Sequence, residues 1–210
     1  MDIIRFLSGA ASLANGVRGL SQAFDSSKEG GQLVETRKSG NVTSKIYEIR
    51  RIEDRIHHIR AMIDKGYKDP QIIAYTRKLL SQRDPVTGEW KTPEKNWAAE
   101  VVTIFKHLRA NVRYVHDPEG LDSYASVRRI LEWRAGDCDD MVIALGAMLR
   151  SVGYRIMLVV VTTTVAPDWD HIYNQVLVDR TWFALDASMA RPPGWELPAQ
   201  LVKAKRLFPA

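Results

Sequence analysis

The chain has 210 residues, of which 45% are hydrophobic and 26% charged, and its formal net charge at neutral pH is +5. This composition belongs to a globular protein with a core of its own, so a fibrous or wholly disordered chain is excluded. A single cysteine excludes an internal disulfide and a cysteine-rich zinc site. The basic residues are spread along helical faces, so we expect no specific nucleic-acid partner.

Residues 1–24 carry apolar side chains at spacings of three and four, which predicts an amphipathic docking helix. Polar residues interrupt the run, so it is too polar for a transmembrane segment and a poor fit to a signal peptide. Three roles for this helix stay open. It docks to a partner or to a second copy of the chain, it packs on its own domain, or, least favoured, it binds a membrane surface. Residues 25–41 are polar and glycine-rich, which predicts a flexible linker or arm.

The main domain is expected over residues 42–210, and it begins with three helices. A stripe of isoleucines predicts an amphipathic helix over 44–65. An Asp-Pro pair, a cap followed by a favourable first-turn residue, opens a second helix over 69–82. The third helix has an apolar face that extends from residue 97 to residue 108.

The second half of the domain is predicted to contain a buried helix followed by strands. The helix covers 138–150, and the β-branched run over 155–164 is a central strand. Residues 172–178 and 181–185 form a hairpin about residues 179–180. Helices come first and strands last, which predicts an α+β fold with a helical N-terminal half and a buried, cysteine-bearing helix packed on a small antiparallel sheet.

Cys138 lies in the sequence Gly-Asp-Cys-Asp-Asp at residues 136–140, where the buried helix begins. A helix N-terminus carries partial positive charge and an imidazolium would add a full one, so we expect a thiol pKa below its usual value of about 8.5. Asp137 is placed to cap the helix. Asp139 and Asp140 oppose thiolate formation, so we expect them to point away from the sulfur or to hold a substrate amine.

His171 and Asp186 lie on the two sides of the predicted hairpin. A two-residue turn places His171 opposite Ser188, with Asp186 diagonal to it on the same face; a turn one residue earlier places His171 directly opposite Asp186. A three-residue loop would separate the two side chains onto opposite faces. Asp186 would fix the imidazole tautomer while the other ring nitrogen faces Cys138. A buried structural cysteine and a structural histidine stay open as the alternative.

No metal or cofactor is expected. The aspartates at 137–140 lack the glycine and the terminal glutamate of a calcium loop, and the sequence contains no phosphate-binding glycine loop. His107 and His116 have no partners at the spacing of metal ligands.

The motifs around the three candidate residues resemble the transglutaminase-like (papain-related) superfamily over about residues 97–188. The resemblance rests on four segments: Trp-Arg-Ala-Gly-Asp-Cys-Asp-Asp at 133–140, Leu-Arg-Ser-Val-Gly-Tyr-Arg at 149–155, the strand that starts at His171, and Thr-Trp-Phe-Ala-Leu-Asp-Ala-Ser at 181–188. It implies a papain-like core in which the cysteine opens the central helix.

The resemblance also implies cysteine-dependent acyl transfer on amide bonds of a protein or peptide. Cys138 would be the nucleophile, His171 the proton shuttle and Asp186 the acid that orients the imidazole. The family usually has tryptophan two residues after the histidine, and this chain does not, which bears on substrate choice. Four side chains are candidates for shaping the substrate pocket: Trp133, Asp139, Tyr173 and Gln175.

Residues 136–140 are also similar to small transglutaminase-like proteins of tailed bacteriophages and prophages. This implies a virion or tail component, in contact with virion proteins or a second copy through residues 1–24. Hydrolysis, as by a peptidase or amidase, is favoured over crosslinking because no second-substrate motif is visible. The alternative is a structural protein of a viral particle that keeps the fold with an idle triad. For the localisation, both the virion and the cytoplasm stay open.

Overall fold

The computed structural model of the chain describes residues 2–8, 30–118, 121–166 and 168–210, and for 2–8 it describes the backbone. The helices in these residues are α1 (Ile52–Tyr67), α2 (Pro70–Leu80), α3 (Trp97–Asn111), α4 (Val127–Trp133) and α5 (Cys138–Ser151). The strands are β1 (Asp2–Ser8), β2 (Gln32–Ser39), β3 (Val42–Ile49), β4 (Arg113–Tyr114), β5 (Leu121–Tyr124), β6 (Ala135–Gly136), β7 (Ile156–Thr163), β8 (His171–Val178), β9 (Thr181–Leu185) and β10 (Val202–Pro209).

Helix α5 is the centre of the fold. Its residues from Asp140 to Leu149 are all buried, and the other four helices, β7 and β8 pack against it. A helix that is apolar on all sides has to be surrounded by protein, and the sequence of α5 is apolar from Met141 to Leu149. The Asp137 carboxylate accepts hydrogen bonds from the backbone N–H groups of Asp139 and Asp140, which fixes where the helix begins.

The sheet beside α5 is antiparallel, with the strand order β10-β7-β8-β9. Side chains alternate between its faces, so β7 and β8 each contribute to two clusters. One face packs on the helices through Ile156, Leu158, Val160, Ile172 and Val176. The other face carries a second cluster, formed by Val159, Val161, Tyr173 and Ala184 with Leu197 and Val202 packed against them. The predicted α+β class, with a buried cysteine-bearing helix on a small antiparallel sheet, is confirmed.

The β8–β9 hairpin has the first of the two registers that the sequence allowed. Val178 pairs with Thr181 across a two-residue turn, and Asn174 pairs with Leu185. Both turn residues, Asp179 and Arg180, have positive φ values of 47° and 68°. Two consecutive left-handed residues are the geometry of the tight hairpin turn whose twist matches that of the flanking strands.

The N-terminal segment differs from the prediction. Residues 2–8 form a strand, not part of a helix, and this strand lies parallel to β3 and antiparallel to β5 in a sheet of order β2-β3-β1-β5. The remainder of the proposed docking helix, residues 9–24, lies outside the described residues. A short apolar run such as Ile-Ile-Arg-Phe-Leu fits a strand as well as a helix, and long-range pairing decides between them.

The linker and the first long helix also differ from the prediction. Residues 32–39 form β2, an exposed strand that pairs with β3 in a hairpin, so this part of the expected 25–41 arm is ordered. The predicted helix over 44–65 begins at Ile52, because residues 42–49 belong to β3. Ile46 and Ile49 fit the helical stripe, but pairing with neighbours on both sides outweighs that local spacing. None of the described helices is long and apolar enough to cross a membrane.

Candidate functional site

Cys138 is the first residue of α5, and a short parallel pair of strands leads to it. Strand β4 lies beside β6, with the N–H of Arg113 donating to the Arg134 carbonyl at 2.8 Å and that of Val115 donating to the Gly136 carbonyl at 2.9 Å. Gly136 is buried, and a Cβ placed there would lie 2.5 Å from the Cβ of Asp140. The glycine is therefore required by close packing against the first turn of the cysteine-bearing helix.

His171 and Asp186 meet through a short hydrogen bond between Nε2 and Oδ2, with the two atoms 2.6 Å apart. His171 is the first residue of β8, and Asp186 directly follows β9. The other carboxylate oxygen of Asp186 accepts from the Ser188 hydroxyl at 2.7 Å and from the backbone N–H groups of Ser188 and Met189 at 3.1 and 3.3 Å. Because these bonds hold the Asp186 carboxylate in place, its contact with Nε2 fixes the orientation of the imidazole. The other ring nitrogen, Nδ1, is then available for proton transfer.

Cys138 and His171 line one cavity of about 370 Å³. The Ile172 backbone, at the start of β8, interacts with the sulfur and lowers the pKa of the thiol. In this conformation the thiol is directed at Oδ1 of Asp139, 3.8 Å from Sγ, and not at the imidazole. Asp186 lies behind the imidazole, away from the cavity lining. The structure thus brings the candidate nucleophile and the candidate base into one cavity and the acid into contact with the base.

The electrostatics of the thiol differ from the prediction. Burial raises the pKa of Cys138 well above its usual value, the carboxyl groups of Asp139 and Asp137 raise it further, and the interaction with the Ile172 backbone opposes them. The positive end of the helix would lower the pKa of the thiol, but two effects that raise it are larger. Cys138 is only partly exposed, and two acidic side chains are its immediate neighbours in the chain. At neutral pH the resting side chain is a thiol, and a base has to remove its proton.

The acidic groups around the thiol are themselves shifted toward the protonated form. Burial, followed by the charges of Asp137 and Asp122, raises the pKa of Asp139 well above the usual range for aspartate. Burial raises the pKa of Asp140 to about 8 and that of Asp137 to about 6. Arg55, whose guanidinium lies 2.8 Å from the Asp122 carboxylate, is a cation in the cavity wall and works against these shifts at Asp139.

Of the four side chains proposed to shape the substrate pocket, Asp139 lines the cavity and the other three do not. Trp133 is 52% exposed and lies under the Arg129 guanidinium, 4.9 Å from its ring centroid. Tyr173 and Gln175 both donate to Glu196, at 2.7 and 2.9 Å, on the sheet face that is turned away from α5. Proximity in sequence to Cys138 or His171 thus did not place these side chains in the cavity.

Tyr114 and His116 also line the cavity, although no sequence pattern predicted them there. Their rings meet edge to face, with centroids 4.8 Å apart. Burial raises the pKa of Tyr114, and the nearby Cys138 and Asp137 raise it further. The phenol and the candidate nucleophile line the same cavity. The parallel pairing of β4 with β6 brings them there, and such a contact between distant segments leaves no local pattern in the chain.

The described residues contain no group of three or more His, Cys, Asp or Glu side chains arranged to hold a metal ion. The aspartates of 137–140 are used otherwise. Asp137 caps α5, and Asp140 accepts a hydrogen bond from the Ala125 backbone N–H at 3.0 Å.

Comparisons with known proteins match residues 84–187 to the core of the transglutaminase-like superfamily. No curated protein matches the chain. Three solved structures with a similar arrangement are a candidate cysteine protease from Cytophaga hutchinsonii, a candidate protease from Parabacteroides distasonis, and LapG from Legionella pneumophila in its calcium-bound form.

The structural similarities are distant. The alignment with the Cytophaga protein has 15% identity and a TM-score of 0.47, and it covers 71% of this chain and 47% of the other. The alignment with the Parabacteroides protein has 16% identity and a TM-score of 0.42, and it covers 64% of this chain and 26% of the other. The alignment with LapG has 14% identity and a TM-score of 0.32, and it covers 77% of this chain and 81% of LapG. The chain thus spans less than half the length of the first two proteins. Residues 84–187, the part of the chain that is similar to the core of the transglutaminase-like superfamily, contain Cys138, His171 and Asp186.

Proposed function

We propose that the protein catalyses cysteine-dependent acyl transfer on amide bonds of a protein or peptide substrate. Cys138 is the nucleophile, His171 the base and Asp186 the group that orients the imidazole. The observation that carries the proposal is the 2.6 Å contact between His171 Nε2 and Asp186 Oδ2 at the edge of the cavity that Cys138 lines. A nucleophile beside a base that is itself held by a third group is the arrangement by which thiols and hydroxyls are activated.

The first half of the reaction forms a thioester. As Sγ attacks the substrate carbonyl carbon, Nδ1 of His171 takes the thiol proton and the carbonyl electron pair moves to oxygen. The backbone N–H of Cys138 is a donor for this oxyanion, because the helix cap formed by Asp137 uses the next two N–H groups. The carbon–nitrogen bond then breaks, and the leaving amine takes the proton from His171.

The second half of the reaction resolves the thioester. His171 removes a proton from water, the hydroxide adds to the carbonyl carbon, and the bond to sulfur breaks to give a carboxylic acid and the thiol. An attacking amine would give a new amide instead. We propose hydrolysis as the principal outcome. Because burial raises the pKa of the thiol, proton transfer to His171 accompanies the attack and does not precede it.

An assay that detects both outcomes tests the proposal. Dimethylcasein is incubated with the wild-type chain, with and without dansylcadaverine; new amino groups report hydrolysis, and protein-bound fluorescence reports transfer. We expect hydrolysis, abolished by Cys138→Ala and reduced 100-fold or more by Asp186→Asn, because a misoriented imidazole is a poor base. A panel of peptide coumarin amides extends the search. Turnover that persists unchanged in Cys138→Ala contradicts the proposed function.

A second candidate is a structural module that retains the fold with an idle triad. It is supported by the raised pKa of the Cys138 thiol and by the direction of that thiol toward Asp139. The two candidates differ in their response to Asp186→Asn. An idle triad gives the same background in the wild type and in this variant, whereas the enzyme loses its turnover.

A place in a bacteriophage virion or tail is a further proposal, and it rests on the sequence similarity of residues 136–140. Virion proteins, or a second copy of the chain, would then be the partners. Mass spectrometry of purified particles and light scattering of the isolated chain test these two points. Peptides of the chain in particles support the first, and a mass of twice 23.8 kDa supports the second.

A further inference from the structure

The face of β8 that carries His171 also carries Tyr173, and the two rings are in contact. Their centroids are 6.1 Å apart with an angle of 30° between the planes, which is a loosely stacked arrangement. Tyr173 is 3% exposed, and its ring is held in the second apolar cluster beside Val159 and Ala184. The imidazole thus has an aromatic neighbour that the sheet itself positions.

Glu196 fixes the far end of Tyr173. One oxygen of this carboxylate, Oε1, accepts three hydrogen bonds: from the Tyr173 hydroxyl at 2.7 Å, from the Gln175 side chain at 2.9 Å and from Lys205 at 2.8 Å. Burial works against ionisation of Glu196, but the hydrogen bonds from Lys205 and Tyr173 lower its pKa below the usual value. Glu196 therefore remains a carboxylate at neutral pH, and hydrogen bonds to a charged acceptor are the stronger kind.

The segment that carries Glu196 is itself tied to the sheet. The Gly194 N–H donates to the Ala184 carbonyl at 2.7 Å, and Leu197 packs against the second cluster. Lys205 comes from β10, on the opposite edge of the same sheet. The carboxylate thus joins β8, the segment around Glu196 and β10 on the sheet face that carries His171.

We propose that Glu196 is a positioning residue for His171, acting through the ring of Tyr173. Asp186 holds one edge of the imidazole, and the Tyr173 ring, fixed by Glu196, holds one face of it. With both contacts the imidazole has one orientation, in which Nδ1 faces the cavity. Without Glu196 the Tyr173 ring moves, and the imidazole samples further orientations. The catalytic meaning of this arrangement rests on the proposed function, whereas the positioning itself does not.

Nuclear magnetic resonance of the histidine side chains tests the positioning without a substrate. Long-range nitrogen–proton spectra of the wild-type chain, assigned with His171→Gln, should show His171 as one tautomer that carries its proton on Nε2. Glu196→Ala should give exchange-averaged nitrogen shifts, and Glu196→Gln, which keeps an acceptor oxygen, should restore most of the wild-type signal. Glu132→Gln, at an exposed glutamate of α4, is the matched control. Wild-type His171 signals in Glu196→Ala overturn the proposal.

A double-mutant cycle identifies the route from Glu196 to His171. Tyr173→Phe keeps the ring and loses the hydrogen bond, so it is expected to fold even if Glu196→Ala does not. Glu196→Ala, Tyr173→Phe and the double variant should all lower kcat by a similar factor, about tenfold, with KM unchanged, because the two side chains act through one contact. Additive losses overturn the route through Tyr173. If the wild type does not turn over, the proposed function fails while the nuclear magnetic resonance result still decides the positioning.

Discussion

Asp140 allows a quantitative test of the electrostatics at the start of α5. It is 6% exposed, and one oxygen accepts from the Ala125 backbone N–H at 3.0 Å. Burial raises the pKa of Asp140 from 3.8 to about 8, so the folded protein keeps a proton there that the unfolded chain loses above about pH 4. The carboxylic acid form matches an asparagine in shape, and Asp140→Asn therefore keeps the contacts and removes the titration.

The sign and size of the effect follow from proton linkage. Between about pH 4 and pH 8 the folded state binds one more proton at Asp140 than the unfolded state, so the free energy of unfolding falls as pH rises. The contribution is fully present below the unfolded pKa and is lost as pH rises through the folded pKa. From pH 5 to pH 7 one such group accounts for about 2.7 kcal/mol, at about 1.36 kcal/mol per unit.

Urea unfolding of the wild type and Asp140→Asn at pH 5, 6 and 7, followed by circular dichroism, measures this difference. Asp137 and Asp139, whose pKa values are also raised, titrate in both proteins, so their contributions cancel in the comparison. We expect the wild type to lose roughly 2 to 3 kcal/mol more than the variant between pH 5 and pH 7. Equal pH dependence in the two proteins would refute a protonated Asp140 in the folded state.

Three further substitutions test a close contact, a buried amide and the extent of the cavity. Gly136→Ala should destabilise the fold by about 1–3 kcal/mol, because the added methyl meets the Asp140 side chain; a wild-type melting temperature would contradict this. Asn174→Leu should stabilise it by roughly 1–3 kcal/mol in urea unfolding, because the described residues offer neither polar atom of this buried amide a partner; destabilisation would count against it. Trp133→Ala should change KM in the casein assay less than twofold, since its exposed ring lies outside the cavity lining, and a tenfold rise would place it in the substrate site.

The parts of the fold that the sequence predicted are those encoded by local patterns. The buried helix from Cys138 follows from the nine-residue apolar run at 141–149, and the β8–β9 hairpin follows from a polar pair between two β-rich runs. The hairpin then places His171 and Asp186 on one face by the alternation of side chains alone. Because the length of the turn sets which residues pair across the hairpin, the contact between His171 and Asp186 could be predicted from their positions in the sequence.

The parts that were predicted wrongly depend on contacts between distant segments. Strand β1 is a strand because β3 and β5 lie on either side of it, and neither neighbour is visible in residues 2–8. The raised pKa of Cys138 depends on burial, which spacing does not reveal, and this burial outweighs the helix end. Tyr173 shares the face of His171 as alternation requires, but Glu196, much later in the chain, determines that its hydroxyl points away from the cavity.

The rate of alkylation of Cys138 by iodoacetamide measures most directly whether Cys138 and His171 act together. The chain has one cysteine, so the mass of the intact protein reports this site alone. At pH 7 we predict that His171→Asn reacts at least tenfold more slowly than the wild type, because the buried thiol then has no base to take its proton. Equal rates in the wild type and His171→Asn would contradict a catalytic pair.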